Sequence, residues 1–297
     1  MRRNSIFIGL PALMAYVMLL SGCSADDMDV QRIAGNGREI RMTASMLPTT
    51  RTASSLQDAQ LSQDVTVGVY GVSGGNTIIS GDNAGYTADG IGNLTATGSS
   101  MLWPAAGSVT IYAYAPKQES WTYSADKTFT VATDQCSDMG YLASDLLWAT
   151  ATPASEETVS LVFAHKLSRI QLTVATDANT TLTDATVQIV NTKTSAPFTL
   201  ASGTVGTASG NATAITIGSG ITLEAGGSIT LYGILIPQTV AANTTLIQIT
   251  AGENVWKYYF SEAKTFADGG AYSSRVTISS SNFISTIGSE SATEPAN

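Results

Sequence analysis

From residue 65 to residue 279 the chain is a succession of short apolar-rich runs broken by glycine, asparagine and aspartate, and this rhythm restricts its fold more than any other feature. The runs are 65–70, 109–115, 128–131, 158–163, 169–175, 185–190, 214–217, 228–236, 245–251, 255–260 and 272–279. Each is long enough for one strand and too short for a stable isolated helix. No amphipathic helical repeat alternates with them, as the crossovers of a parallel sheet would require, so the pattern predicts an all-β chain of antiparallel sandwiches. Composition agrees: 40 Thr and 33 Ser stand among 297 residues, and only 12% are charged, against about 25% in ordinary domains. One short helix is expected over 139–149, where Leu142, Leu146 and Ala149 fall at i, i+4 and i+7.

A change of phase locates a junction. In Leu161, Phe163, His165 and Leu167 the large side chains occupy odd positions; in Ile170, Leu172 and Val174 they occupy even ones. A one-residue shift turns every side chain to the other face, so the strand carries a bulge or passes from one core to another. Roughly a hundred residues on each side suit two sandwiches, with the junction between His165 and Ile170.

The N terminus reads as an address. Arg2 and Arg3 precede an apolar run over 6–20, which is short of the ~20 residues of a membrane-spanning helix and fits a signal peptide. It ends in Leu20-Ser21-Gly22-Cys23, which resembles a bacterial lipobox and implies cleavage before Cys23 and acylation of that residue. Ser24-Ala25-Asp26-Asp27 is similar to a surface-export signal of Bacteroidetes lipoproteins. After such cleavage only Cys136 remains as a thiol, so no intrachain disulfide forms. In the polar stretch 24–60, Ile40, Met42, Ala44 and Met46 alternate with Arg41, Thr43 and Ser45, the pattern of one strand with a single apolar face.

Several chemistries are disfavoured. The formal charge of −9 becomes −11 without Arg2 and Arg3, and an acidic chain repels phosphate backbones, so nucleic acid is not an expected partner. Gly71-Val72-Ser73-Gly74-Gly75 matches a nucleophile elbow by letter, but a Gly-Gly-Asn turn follows where a helix is needed, so a β-turn is expected. The single histidine, His165, reads as a half-buried strand residue with its ring hydrogen-bonded. Cys23 and Cys136 share no metal-ligand spacing; no metal, cofactor or enzymatic activity is expected. Trp103, Tyr112, Tyr114, Trp148, Trp256, Tyr258 and Tyr259 alternate along their runs and are expected in cores rather than on a glycan-binding surface.

Ordered motifs from Thr50 to Ile278 carry a resemblance. They are Thr50-Arg51-Thr52; Val65-Thr66-Val67-Gly68-Val69-Tyr70-Gly71; Met101-Leu102-Trp103-Pro104 with Ala113-Tyr114-Ala115-Pro116; Ser144-Asp145-Leu146-Leu147-Trp148-Ala149; Phe163-Ala164-His165-Lys166-Leu167-Ser168-Arg169; and Phe266-Ala267-Asp268-Gly269-Gly270-Ala271-Tyr272. Together they resemble the fimbrillins, the pilins of Bacteroidales type V pili. The resemblance implies two transthyretin-like β-sandwich domains in tandem. It implies a lipoprotein precursor anchored to the outer membrane, an arginine-specific surface protease that removes the leader with its first strand, and polymerisation with other pilin subunits by strand exchange into a cell-surface fimbrium. Residue by residue, Cys23 is the lipidated position, Arg51 the processing site, and Ile40, Met42, Ala44 and Met46 the removable strand. Arg41 lies within that strand and fits processing less well. Phe283, Ser285 and Ile287 are the possible donor strand, although the 279–288 stretch alternates poorly and a frayed tail is the other reading. The expected organisation is 1–22 signal peptide, 23–51 leader, 52–166 and 167–280 sandwiches, and 281–297 tail. The competing function is a monomeric surface lipoprotein that stays acylated and binds glycan or host protein; the poorly alternating tail favours it.

Overall fold

The computed structural model describes residues 35–47, 57, 59–78, 81–123, 127–154, 156–281 and 283–293. These form sheets connected by turns, with one helix, Asp138–Ser144. Two buried apolar clusters organise them. The first gathers Ile40, Met42, Val67, Val69, Ile111, Leu147, Leu161 and Phe163. The second gathers Leu167, Ile170, Leu172, Val187, Ile189, Ile247, Trp256 and Ile278, and also takes Tyr70, Tyr114, Trp121 and Phe129 from earlier in the chain. Both belong to one compact unit, Gln31–Asn297.

The first cluster is enclosed by a sheet that closes on itself. Thr66–Ser73 pairs with Ala84–Ala88, which pairs with Asn93–Ala96. Met42–Met46 comes next, followed by Val159–His165, Leu147–Ala151 and Thr110–Ala115. Thr110–Ala115 then pairs back onto Thr66–Ser73 and completes the ring. Closure removes the edge strands that would otherwise invite pairing with other chains.

The second cluster lies between two open sheets. One runs Ser228–Leu235, Ser168–Thr176, Ala271–Ile278, Gly288–Thr293; the other runs Ile215–Leu223, Leu182–Ile189, Thr245–Ala251, Asn254–Tyr259, Ile284–Thr286. The phase change seen in the sequence falls where Val159–His165, in the ring, gives way to Ser168–Thr176, in an open sheet. Leu161 and Phe163 face the first cluster; Ile170, Leu172 and Val174 face the second.

Three expectations need correction. The sheets are mixed rather than purely antiparallel: Met42–Met46 runs parallel to Val159–His165, Ser168–Thr176 to Ala271–Ile278, and Asn254–Tyr259 to Ile284–Thr286. Sequence rhythm shows that strands exist but not which neighbours they take. The helix expected over 139–149 covers Asp138–Ser144, capped by the Ser137 side chain, which accepts from the Gly140 N–H. Leu147–Ala151 is a strand paired on both sides, so two ladders outweigh the helical spacing of Leu142, Leu146 and Ala149. The stretch after 282, whose weak alternation also fitted a frayed tail, forms the edge strands Ile284–Thr286 and Gly288–Thr293.

Residues 127–137 cross from the first half to the second cluster. Lys127–Thr130 adds to the Lys193–Thr199 strand. Gln135 caps the free side of Ser228–Leu235: its Oε1 accepts from the Ile234 N–H at 2.7 Å and its Nε2 donates to the Ile234 carbonyl at 2.9 Å. The backbone of Thr133 and Gln135 bonds both polar groups of Thr216 on the edge of the opposite sheet at 2.8 Å. One short segment thereby protects two sheet edges.

Candidate functional site

The first ring contains one strand drawn from the leader. In Met42–Met46 the alternation resolves into faces: Ile40 is 1% exposed and Met42, Ala44 and Met46 are at most 6%, whereas Arg41 and Ser45 face solvent. The parallel ladder to Val159–His165 is five residues long, from Met42↔Val159 to Met46↔Phe163. It is extended at both ends by Val159 N–H to Arg41 O at 2.8 Å and Leu47 N–H to Phe163 O at 2.7 Å. On the other side Met42 and Thr43 pair with Leu94 and Asn93, and the Ala44 N–H donates to Gly92 O at 2.9 Å. Each buried Ile or Met contributes about 1.5–3 kcal/mol. The ring would be open without this strand, with two strands each left unpaired on one side along a groove of apolar side chains.

Upstream, Gly35–Glu39 pairs with Leu102–Pro104, a strand that the polar leader sequence did not signal. Glu156 accepts from the Arg38 guanidinium and, at 2.8 Å, from Asn36 Nδ2. These contacts are exposed and contribute little to stability. Cys23 and Arg51 lie outside the described residues.

The C-terminal positions sit elsewhere, on the second pair of sheets. Phe283 stacks on Trp256 with ring centroids 5.5 Å apart, Ser285 is half-buried and Ile287 is 6% exposed. The Lys257 N–H donates to Phe283 O at 2.8 Å and the Ile287 N–H to Tyr259 O at 2.7 Å, so the segment is an edge strand of its own subunit. Ile284 points away and is 63% exposed.

The remaining polar positions serve the fold. His165 is buried rather than half-buried, and its Nδ1 lies 2.8 Å from Asp145 Oδ1, while Nε2 has no hydrogen-bond partner among the described residues. The Asp145 carboxylate also accepts from Gln57 Nε2 at 3.2 Å. Ser73 is buried at the end of Thr66–Ser73, and Gly74-Gly75 (φ +58° and +86°) turn the chain into the hairpin partner Asn76–Thr77. The strand–turn–helix setting of a nucleophile elbow is not what surrounds it. Trp103, Tyr114, Trp256 and Tyr258 are buried, and Tyr112, Trp148 and Tyr259 are half-buried. Burial pushes the Tyr258 hydroxyl well above the ordinary tyrosine range.

The fimbrillin-like family matches residues 50–294, a span that takes in the closed ring from Thr66–Ser73 onward and both open sheets. The chain belongs to the fimbrillin-like family. Solved structures share the fold of this fimbrillin-like chain. A proposed cell adhesion protein from Bacteroides ovatus superposes with a TM-score of 0.66 at 18% identity, over 86% of this chain and 97% of that one. A second proposed cell adhesion protein, from Bacteroides uniformis, gives 0.64 at 22% identity, over 86% and 96%. A third, from Bacteroides fragilis, gives 0.51 at 15% identity, over 86% and 99%. No curated protein matches the chain. As a fimbrillin-like protein it is structural, not an enzyme.

Proposed function

We propose that this fimbrillin-like chain is a pilin or pilus-associated adhesin subunit of a cell surface, made as a lipoprotein acylated at Cys23, cut after Arg51 and assembled by strand exchange. The observation that carries the reading is the burial of Ile40, Met42, Ala44 and Met46 in a strand that the leader contributes to the ring. Loss of that strand exposes a groove that another subunit's extended segment refills, with main-chain bonds giving affinity and alternate side chains giving register. The family match begins at residue 50, just past the strand, which agrees with a leader that is not part of the assembled subunit. The fold relatives whose names refer to cell adhesion support a surface location.

The domain division proposed is 52–166, which with the leader strand makes the closed ring, and 167–280, which makes the two-sheet sandwich, with 127–137 serving the second. The donor proposed is the edge strand with Phe283, Ser285 and Ile287. Its seating on its own subunit favours the competing reading, a monomeric acylated lipoprotein that binds glycan or host protein.

One experiment separates the two. Wild type treated with an arginine-specific protease is expected to give Thr52 as N terminus and higher oligomers, while Arg51→Ala stays full-length and monomeric. Assembly of Arg51→Ala into fibres, or a cut product that stays monomeric beside other subunits, refutes strand exchange. Cys23→Ala is expected to lose fatty-acid labelling and leave the membrane fraction; labelling that persists refutes the anchor.

A further inference from the structure

The ring has a gap beside the leader strand. Pairing between the leader and Asn93–Ala96 covers Met42↔Leu94 and Thr43↔Asn93 and then stops. The leader turns off there: the Ile40 N–H donates to Met101 O at 2.7 Å, and Gly35–Glu39 follows Leu102–Pro104. The partner strand continues to Ala96. Its Asn93 O and Thr97 N–H bond the opposite neighbour, at Asp89 and Gly85. Strand alternation therefore aims the N–H and C=O of Ala96 at the side the leader has left. An opening of about 450 Å³ lies there, lined by Arg41, Met42, Leu94, Ala96, Gly98 and Ser100 among others.

We propose that this opening is where an incoming strand first docks, and that the strand is the 283–293 segment of a second copy of this chain. The proposal rests on the strand-exchange reading and adds its starting point. Leader peptide cut at Arg51 still has its apolar face buried and its ladder to Val159–Phe163 intact, so departure unaided would expose the whole groove at once. A strand that bonds Ala96 first exchanges the remaining bonds one for one. The C-terminal segment fits the role because, among the described residues, Ile284–Thr286 and Gly288–Thr293 each pair on one side only, and Phe283 and Ile284 are 39% and 63% exposed. Leaving its own subunit costs it single ladders, and it brings apolar side chains to Met42 and Leu94.

The test uses protein cut at Arg51 and a fluorescent peptide of residues 279–293, with leader release followed by native mass spectrometry. The release rate is expected to rise with peptide concentration. Ala96→Pro removes the N–H that faces the gap and leaves the bonds of Thr95 and Thr97 in place. Gly98→Trp plugs the opening from a position where an added Cβ meets no atom within 4 Å, and it decides the matter should the proline variant fold poorly. Ala96→Pro is expected to slow release about tenfold, the worth of one backbone bond, and Gly98→Trp to slow it at least as much, with occupancy at saturating peptide unchanged. Full occupancy at wild-type rates, or release independent of peptide concentration, overturns the proposal alone. Failure of the peptide to occupy wild type at equilibrium overturns the strand-exchange reading and this proposal with it.

Discussion

The indole of Trp148 donates from Nε1 to the carbonyl of Leu200 at 2.7 Å, joining a strand of the closed ring to a turn of the second half. Gly203 lies against the same ring with φ +65°, and a Cβ there would meet Trp148 Cδ2 at 2.4 Å. The turn reaches the indole only because that residue has no side chain and tolerates a left-handed backbone. Gly203→Ala is expected to cost about 1–3 kcal/mol through overpacking and strain, read as a lower denaturant midpoint with an unchanged slope. A neutral substitution would show that the turn is free to move off Trp148.

Gln135 is expected to matter more than a loop glutamine should. Its side chain satisfies both backbone groups of Ile234 on a sheet edge and is 3% exposed. Gln135→Ala leaves two buried groups unpaired, a loss of about 2–4 kcal/mol. Urea unfolding measures it; a loss under half a kcal/mol, the ~0.5 of an ordinary surface change, would mean that water replaces the side chain.

This pair of positions also marks where sequence reading stops. Strand existence follows from local alternation, so Ile40–Met46, 65–70 and 245–251 were legible, and so was the reversal of faces after Leu167. Gln135 stands in a polar run with no periodicity, and its value comes from Ile234, 99 residues away. Ring closure is invisible for the same reason: it depends on Val69 meeting Ala113 and Met42 meeting Val159, pairings that no local pattern encodes. Helical spacing overstates the length of the helix at Asp138–Ser144 because Leu146 and Ala149 keep that spacing by chance while serving the two cores as strand-entry and strand residues.

Adjacent leader positions should respond very unequally. Ala44 is 6% exposed and pairs with Leu161, while Ser45 faces solvent. Ala44→Asp places an unpaired carboxylate in the first core and is expected to cost roughly 3–5 kcal/mol, whereas Ser45→Asp should stay within about 0.5 kcal/mol. Thermal melts of the uncut protein compare them. Equal effects would mean that the leader strand is not held in the register Met42↔Val159.

Cys136 offers a measurement in which pH sets the outcome. Its backbone N–H donates to Asp134 Oδ1 at 3.0 Å, and its Sγ lies 3.7 Å from Thr216 O. Burial first, and then the adjacent Asp134 carboxylate, push the thiol from 9.0 up to about 11. Only the thiolate attacks an alkylating agent, so at pH 8 the reactive fraction is about 100-fold below that of an unperturbed thiol. With Cys23→Ala leaving Cys136 as the single thiol, the iodoacetamide rate is expected to climb tenfold per pH unit through pH 10, where a free thiol has already levelled off. The sign follows from the raised value: the neutral form is favoured in the folded protein, and the rate keeps rising with pH until it levels off near 11. Asp134→Asn removes the repelling charge and should speed alkylation at pH 8 while the protein stays folded. A plateau near pH 9 in the parent, or no acceleration in Asp134→Asn, would separate Cys136 from the carboxylate that the fold places beside it.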